Sequence, residues 1–295
     1  DLPVSHSPLF TGCAVALITP FHENEVDYSA LEKLIDFQLE NRTDALVVCG
    51  TTGEPSVMTE AEWQAVIAFA VRRVAGRVPV IAGTGGNCTA DVIRKARLAR
   101  ELGADGQLCV TPYYNKTTQP GLIAHYSAIA DDGALPMILY NVPSRTGLNL
   151  QSATLAALAD HEMIVGMKEA SGDMVQIMEE LRLCGDKIAF YAGSDELTAP
   201  MMAMGGQGVI SVVANIAPAL MRQMTHAPLP QAAQLNLRLL PLIRALFAEV
   251  NPIPVKAAAA MLGLCENRVR LPLVEMTAEN QQKLKAEMER IGLLC

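Results

Sequence analysis

The sequence predicts an α/β protein built as a (β/α)8 barrel with a C-terminal three-helix extension, and three observations carry that prediction. First, eight short runs rich in Val, Ile, Leu and Ala begin near residues 13, 45, 78, 107, 136, 163, 188 and 208. They are continuously apolar rather than alternating, the pattern of strands covered on both faces. Second, their spacing averages about 28 residues, room for one strand, one crossover helix and two loops. Third, amphipathic stretches such as Tyr28 to Glu40 and Glu60 to Val74 fill the gaps between them, as helices outside a parallel barrel should.

The elements follow in order. CAVALI from Cys13 opens the barrel, and the stretch from Tyr28 to Glu40 returns the chain. ALVVC at Ala45 leads to the helical stretch from Glu60 to Val74, whose start is marked by Thr59 with Glu62 three residues on, a capping box. The run from Val78 precedes Ala90 to Leu102, which Gly103 stops. QLCV, PMILY, MIVGMK with Met174 to Leu183 behind it, IAFYA and GVISVV complete the eight. Leu197 to Met221 carries no charge, a length that could span a membrane. Pro200, Gly205, Gly206, Asn215 and Pro218 instead divide it into a buried helix, a turn and a strand. The barrel should occupy residues 1–225. Beyond His226 to Pro230, helical patterns near 231–249, 252–262 and 277–291 make residues 226–295 a helical domain that packs beside the barrel or against another subunit.

Composition narrows the function classes. Of 295 residues, 51% are hydrophobic and 18% charged, enough apolar material for a large core and too much for a disordered chain. The net charge is −8 with no basic stretch, which argues against nucleic-acid binding. Seven cysteines with no CxxC pair support neither a disulfide framework nor a zinc ribbon, and read as small buried hydrophobes in a reducing cytoplasm. The opening Asp1 to His6 is not a basic-then-apolar leader. His6, His22, His125, His161 and His226 are scattered, and no HExxH or GK[ST] is present, so neither a metal centre nor a phosphate loop is expected.

In such barrels the active site lies at the C-terminal strand ends. Lys168 closes the run from Met163, an apolar context in which a lysine needs a reason. It could snorkel to solvent or pair with Glu169; the functional reading is an amine that condenses with a carbonyl, which requires the free base and hence apolar neighbours. Tyr140 ends the adjacent strand and can shuttle protons, or simply plug the strand end. Thr51 and Thr52, in a Gly-flanked turn, suit a small carboxylate or a tyrosine relay, or a helix cap. Arg145 offers a fork to a second carboxylate.

GTTGE at 50, TPYYN at 111, YNVPSRTG at 140, GMKEASGD at 166 and GVISV at 208 resemble, in order, the dihydrodipicolinate synthase branch of the N-acetylneuraminate lyase superfamily. The resemblance implies that Lys168 forms an imine with pyruvate without any other cofactor or metal, the carboxylate being held by Thr51, Thr52 and backbone near Gly193 and Ile210. The enamine would attack aspartate 4-semialdehyde, bound through Arg145, to give 4-hydroxy-tetrahydrodipicolinate, the first committed step of lysine and diaminopimelate synthesis. Tyr140, Thr51 and Tyr114 match the family's proton relay, with Tyr114 donated by a neighbouring subunit of a homotetramer, a dimer of dimers in the cytoplasm. An effector pocket for lysine would draw on Ser56, Glu60, Trp63, Asn87, Asp91 and Tyr113. Glu60 and Trp63 stand where some inhibited members carry histidines, and Asp91 is shorter than the usual Glu, so weak or absent inhibition is expected. The alternatives are another pyruvate-dependent lyase, acting on keto-deoxy sugar acids or N-acetylneuraminate, and a non-catalytic keto-acid sensor.

Overall fold

A computed structural model describes residues 6–295; the first five, part of the stretch that argued against a leader, lie outside them. Eight parallel strands close a barrel in chain order: β1 Gly12–Ala16, β2 Ala45–Val48, β3 Val80–Gly83, β4 Gly106–Val110, β5 Met137–Asn141, β6 Ile164–Glu169, β7 Ala189–Ala192 and β8 Gly208–Ser211. β8 pairs back onto β1, Gly12 beside Gly208. Nearly every strand residue is buried, which is why the runs show no alternation: one face fills the barrel and the other meets a helix.

Apart from a single helical turn at Pro143–Thr146, which carries Arg145, the barrel helices among the described residues are α1 Tyr28–Glu40, α2 Glu60–Val74, α3 Thr89–Glu101, α4 Gln119–Gly133, α5 Ser152–Leu158, α6 Met174–Cys184, α7 Thr198–Ala203 and α8 Pro218–His226. The capping box at Thr59 and Glu62 forms in both directions, and Gly103 takes a left-handed φ of 93° just past α3. The uncharged segment resolves into α7, a turn, β8 and the start of α8. No described helix is long and apolar enough to cross a membrane.

The extension is α9 Leu229–Leu246, α10 Ile253–Met261 and α11 Ala278–Ile291. Leu239, Leu242, Val255, Ala258 and Leu284 share one buried cluster with barrel residues. Polar ties reinforce that packing. Arg270 forks onto Glu62 at 2.7 and 2.8 Å, so the carboxylate that caps α2 also anchors the extension and is held below its usual pKa. The cysteines are not uniformly buried as expected: Cys13, Cys49, Cys109 and Cys184 are, but Cys265 is partly exposed and Cys88 and Cys295 lie at the surface, on α3's N-cap and at the C-terminal residue.

Candidate active site

β5 and β6 run in register with Tyr140 beside Lys168, so both side chains leave the same face at the same height. The lysine amine sits 4.0 Å from the Tyr140 ring centroid. Beneath it, Gly166 leaves room for Tyr191: a Cβ there would stand 3.1 Å from the ring, whose hydroxyl donates to the Phe10 carbonyl at 2.6 Å. The barrel interior under Lys168 is therefore filled, and the amine projects only toward the mouth.

Lys168 is 6% exposed and forms no ion pair among the described residues. Solvent snorkelling is excluded by that burial. Pairing with Glu169 is excluded because Glu169 turns to the opposite face, where it accepts from the Ser171 amide at 2.7 Å and the Asn141 side chain at 3.3 Å. Glu169 and Glu180 of α6 are both fully buried there. Burial first, and the Glu169 charge second, push Glu180 up to about 9, so Glu180 carries a proton and hydrogen-bonds to Glu169.

A second buried lysine, Lys256 of α10, makes the contrast. It is fully enclosed, 2.5 Å from Glu54, with its amine 4.0 Å from the Phe21 ring centroid. Burial pulls its pKa down while Glu54 opposes that shift. An amine committed to a carboxylate is a poor nucleophile; an amine in an apolar pocket with no partner is a good one. Of the two buried lysines among the described residues, only Lys168 is without a carboxylate partner.

Lys168 opens into a cavity of about 240 Å³ lined by Thr51, Thr52, Tyr140, Arg145, Gly193 and Val212, among others. Ile210 does not line it; it is buried in β8 beside Ala14. Thr51 to Gly53 forms one helical turn that uses no side-chain cap, so neither threonine hydroxyl is spent on capping it. Glu54, at a left-handed φ of 58°, closes that turn through its amide to the Thr51 carbonyl. The Lys256 to Glu54 ion pair thereby clamps the turn to the extension.

Asn251, just ahead of α10, was not legible as a site residue. Its side-chain amide donates to the Thr52 hydroxyl at 2.9 Å, and its carbonyl accepts from Arg145 at 3.1 Å. One residue of the extension thus orients two sequence-predicted groups. The signal for Lys256 was present: a lone cation inside IPVKAAAAM is the same anomaly that singled out Lys168.

Tyr114 is not brought to the cavity. It is 90% exposed at a left-handed φ of 69°, and Tyr140 finds no hydrogen-bond partner on Thr51 or Tyr114 within the chain. The expected effector residues divide. Ser56, Trp63 and Tyr113 line a neighbouring cleft that shares Thr51, Tyr140 and Arg145 with the Lys168 cavity, the Trp63 indole donating to the Gly83 carbonyl at 3.1 Å. Glu60 and Asp91 lie outside it, both paired to Arg94, at 2.7 and 3.0 Å. Asn87 is held by Asn115, whose side chain donates to the Asn87 carbonyl at 2.9 Å. Among the described residues no group of His, Cys, Asp and Glu is placed to hold a metal ion.

Residues 9–291 match the profile of the Dihydrodipicolinate synthetase family. The 4-hydroxy-tetrahydrodipicolinate synthase of Geobacter metallireducens is 50% identical over 290 residues, 97% of this chain and 100% of that protein. The chloride-inhibited dihydrodipicolinate synthase of Acinetobacter baumannii, solved with pyruvate, superposes with a TM-score of 0.94 at 41% identity, covering 96% of this chain and 99% of that one. A monomeric dihydrodipicolinate synthase variant superposes with a TM-score of 0.95 at 40% identity, covering 97% and 98%.

Proposed function

The chain belongs to the dihydrodipicolinate synthetase family, and on that premise we propose that Lys168 is the amine through which it works. The enzyme condenses pyruvate with aspartate 4-semialdehyde to 4-hydroxy-tetrahydrodipicolinate, opening lysine and diaminopimelate synthesis. The covalent imine makes an external cofactor unnecessary. On this reading the Lys168 amine attacks C2 of pyruvate and water departs, leaving the imine. Loss of a methyl proton gives the enamine, whose carbon bonds to the semialdehyde's C4 while the aldehyde oxygen takes a proton. The semialdehyde's own amine then displaces Lys168 at C2, closing the ring and freeing the enzyme. Thr51 and Thr52 receive the pyruvate carboxylate, with backbone at Gly193 as the further contact, Ile210 being set back from the cavity; Arg145, steadied by Asn251, receives the second carboxylate. Tyr140 moves protons at Lys168, relayed through Thr51.

The observation that carries this reading is the buried, unpaired Lys168 amine beside Tyr140. It disfavours a keto-acid sensor, which needs no free amine. The relay lacks its third member within one chain, and the exposed Tyr114 is suited to supply it to a neighbour, as in a dimer of dimers working in the cytoplasm. Exposed Val175, Met178 and Met204 offer further apolar surface to subunits. The test is borohydride reduction with pyruvate followed by peptide mass analysis: the adduct should sit on Lys168 and vanish in Lys168→Ala. An adduct elsewhere, or none, refutes the assignment. Turnover of sugar aldehydes in preference to aspartate 4-semialdehyde would transfer the chain to another lyase branch.

A further inference from the structure

Asp195 follows β7 and is 1% exposed, with no cation in ion-pair range among the described residues. Its carboxylate takes a short hydrogen bond from the Ser211 hydroxyl and accepts the amides of Val212 at 3.0 Å and Val213 at 3.4 Å. The Ser211 oxygen in turn accepts the Ala214 amide at 2.9 Å. Three successive amides of the turn after β8 therefore converge on one carboxylate and hydroxyl. The two loops joined in this way supply Gly193, Ser194 and Val212 to the cavity around Lys168.

We propose that ionised Asp195 is a positioning residue, setting the separation of the Gly193 to Ser194 and Val212 backbones and with it the space in which the carboxylate of a 2-keto acid sits beside Lys168. The proposal rests on Lys168 being the imine-forming amine. Only the ionised carboxylate can accept from all these donors at once; a protonated one must itself donate, and a buried donor loses its acceptor. Burial pushes Asp195 up to about 6 against the pull of its hydrogen bonds. The groups facing it are Cys13 from β1 and Glu196 from its own turn. β8 presents no titratable side chain, and α9 presents the neutral Asn236, which donates to the Glu196 carbonyl at 2.9 Å and accepts from the Ala199 amide at 3.0 Å. The pocket should therefore loosen as pH falls through about 6.

Asp195→Asn keeps the shape but sets amide hydrogens against donors. It should raise KM for pyruvate about tenfold, lower kcat less, and abolish the fall of kcat/KM on the acid side. Ser211→Ala retains the carboxylate but removes the donor that holds its pKa down, so the acid limb should move to higher pH; this variant decides the matter if the first does not fold. A merely structural Asp195 would lower the melting midpoint and the active fraction while leaving KM and the acid limb in place, and that result overturns the proposal. Borohydride trapping on the wild type separates the two levels. Absence of a pyruvate adduct on Lys168 sinks the underlying reading and this one with it, whereas a normal adduct with unchanged KM and limb in both variants sinks this one alone.

Discussion

Replacing Lys256 by Met tests how firmly the extension and the Thr51 turn are tied together. The amine is fully buried, 2.5 Å from Glu54, and that carboxylate is itself nearly inaccessible, with one further donor, the Arg270 amide at 3.3 Å. Met fills similar volume against Phe21 but leaves Glu54 as a buried charge without its cation. Breaking such a pair costs about 3–5 kcal/mol, because the surviving ion keeps its desolvation penalty. An unfolding entropy of about 2.1 cal/mol/K per residue over 295 residues converts this to a midpoint roughly 5–8 °C lower. The assay is thermal and urea unfolding of the wild type, Lys256→Met, Glu54→Gln and the double variant. Removing the stranded charge should make the double variant more stable than Lys256→Met alone, a coupling that independent sites do not show. Since Glu54 closes the Thr51 turn, Lys256→Met should also lose kcat/KM well below its midpoint. A loss under about 1 kcal/mol, or strict additivity in the double variant, would refute the reasoning.

Mixing inactive Lys168→Ala with Tyr114→Phe tests the relay across subunits. Random pairing gives half mixed dimers with one intact site each, so activity should return to about a quarter of wild type; no recovery would place Tyr114 in its own chain's site. Glu180→Gln should match the wild type near pH 4.5, exceed its stability at neutral pH and flatten its pH dependence. The fold raises Glu180 to about 9, so the native state holds an extra proton from about pH 4.5 upward and the wild type loses stability as pH rises through that window. Equal slopes for both proteins in denaturation between pH 5 and 9 would contradict the shared proton. Lysine should inhibit only in the millimolar range or not at all, since Glu60 and Asp91 are already engaged by Arg94; half-inhibition at sub-millimolar lysine in a steady-state assay would overturn this.

The fold was legible in the chain because parallel strands buried on both faces leave continuous apolar runs, and because a one-strand, one-helix repeat imposes a regular spacing. The strand ends were legible for the same reason: polar groups that interrupt such runs must lie at a rim. Lys168, Tyr140, Thr51, Thr52 and Arg145 could accordingly be picked out in advance, and they line one cavity. What residue order could not convey was the partnering of each buried charge. Lys168 and Lys256 stand in equally apolar runs, yet only one has a carboxylate across 202 positions of sequence. Asn251 and Asp195 are unremarkable in the chain because their partners, Thr52, Arg145 and Ser211, arrive only when barrel closure brings distant strand ends together. Periodicity is a local property and survives in the sequence; charge pairing depends on which loops meet, and the tertiary structure alone decides it.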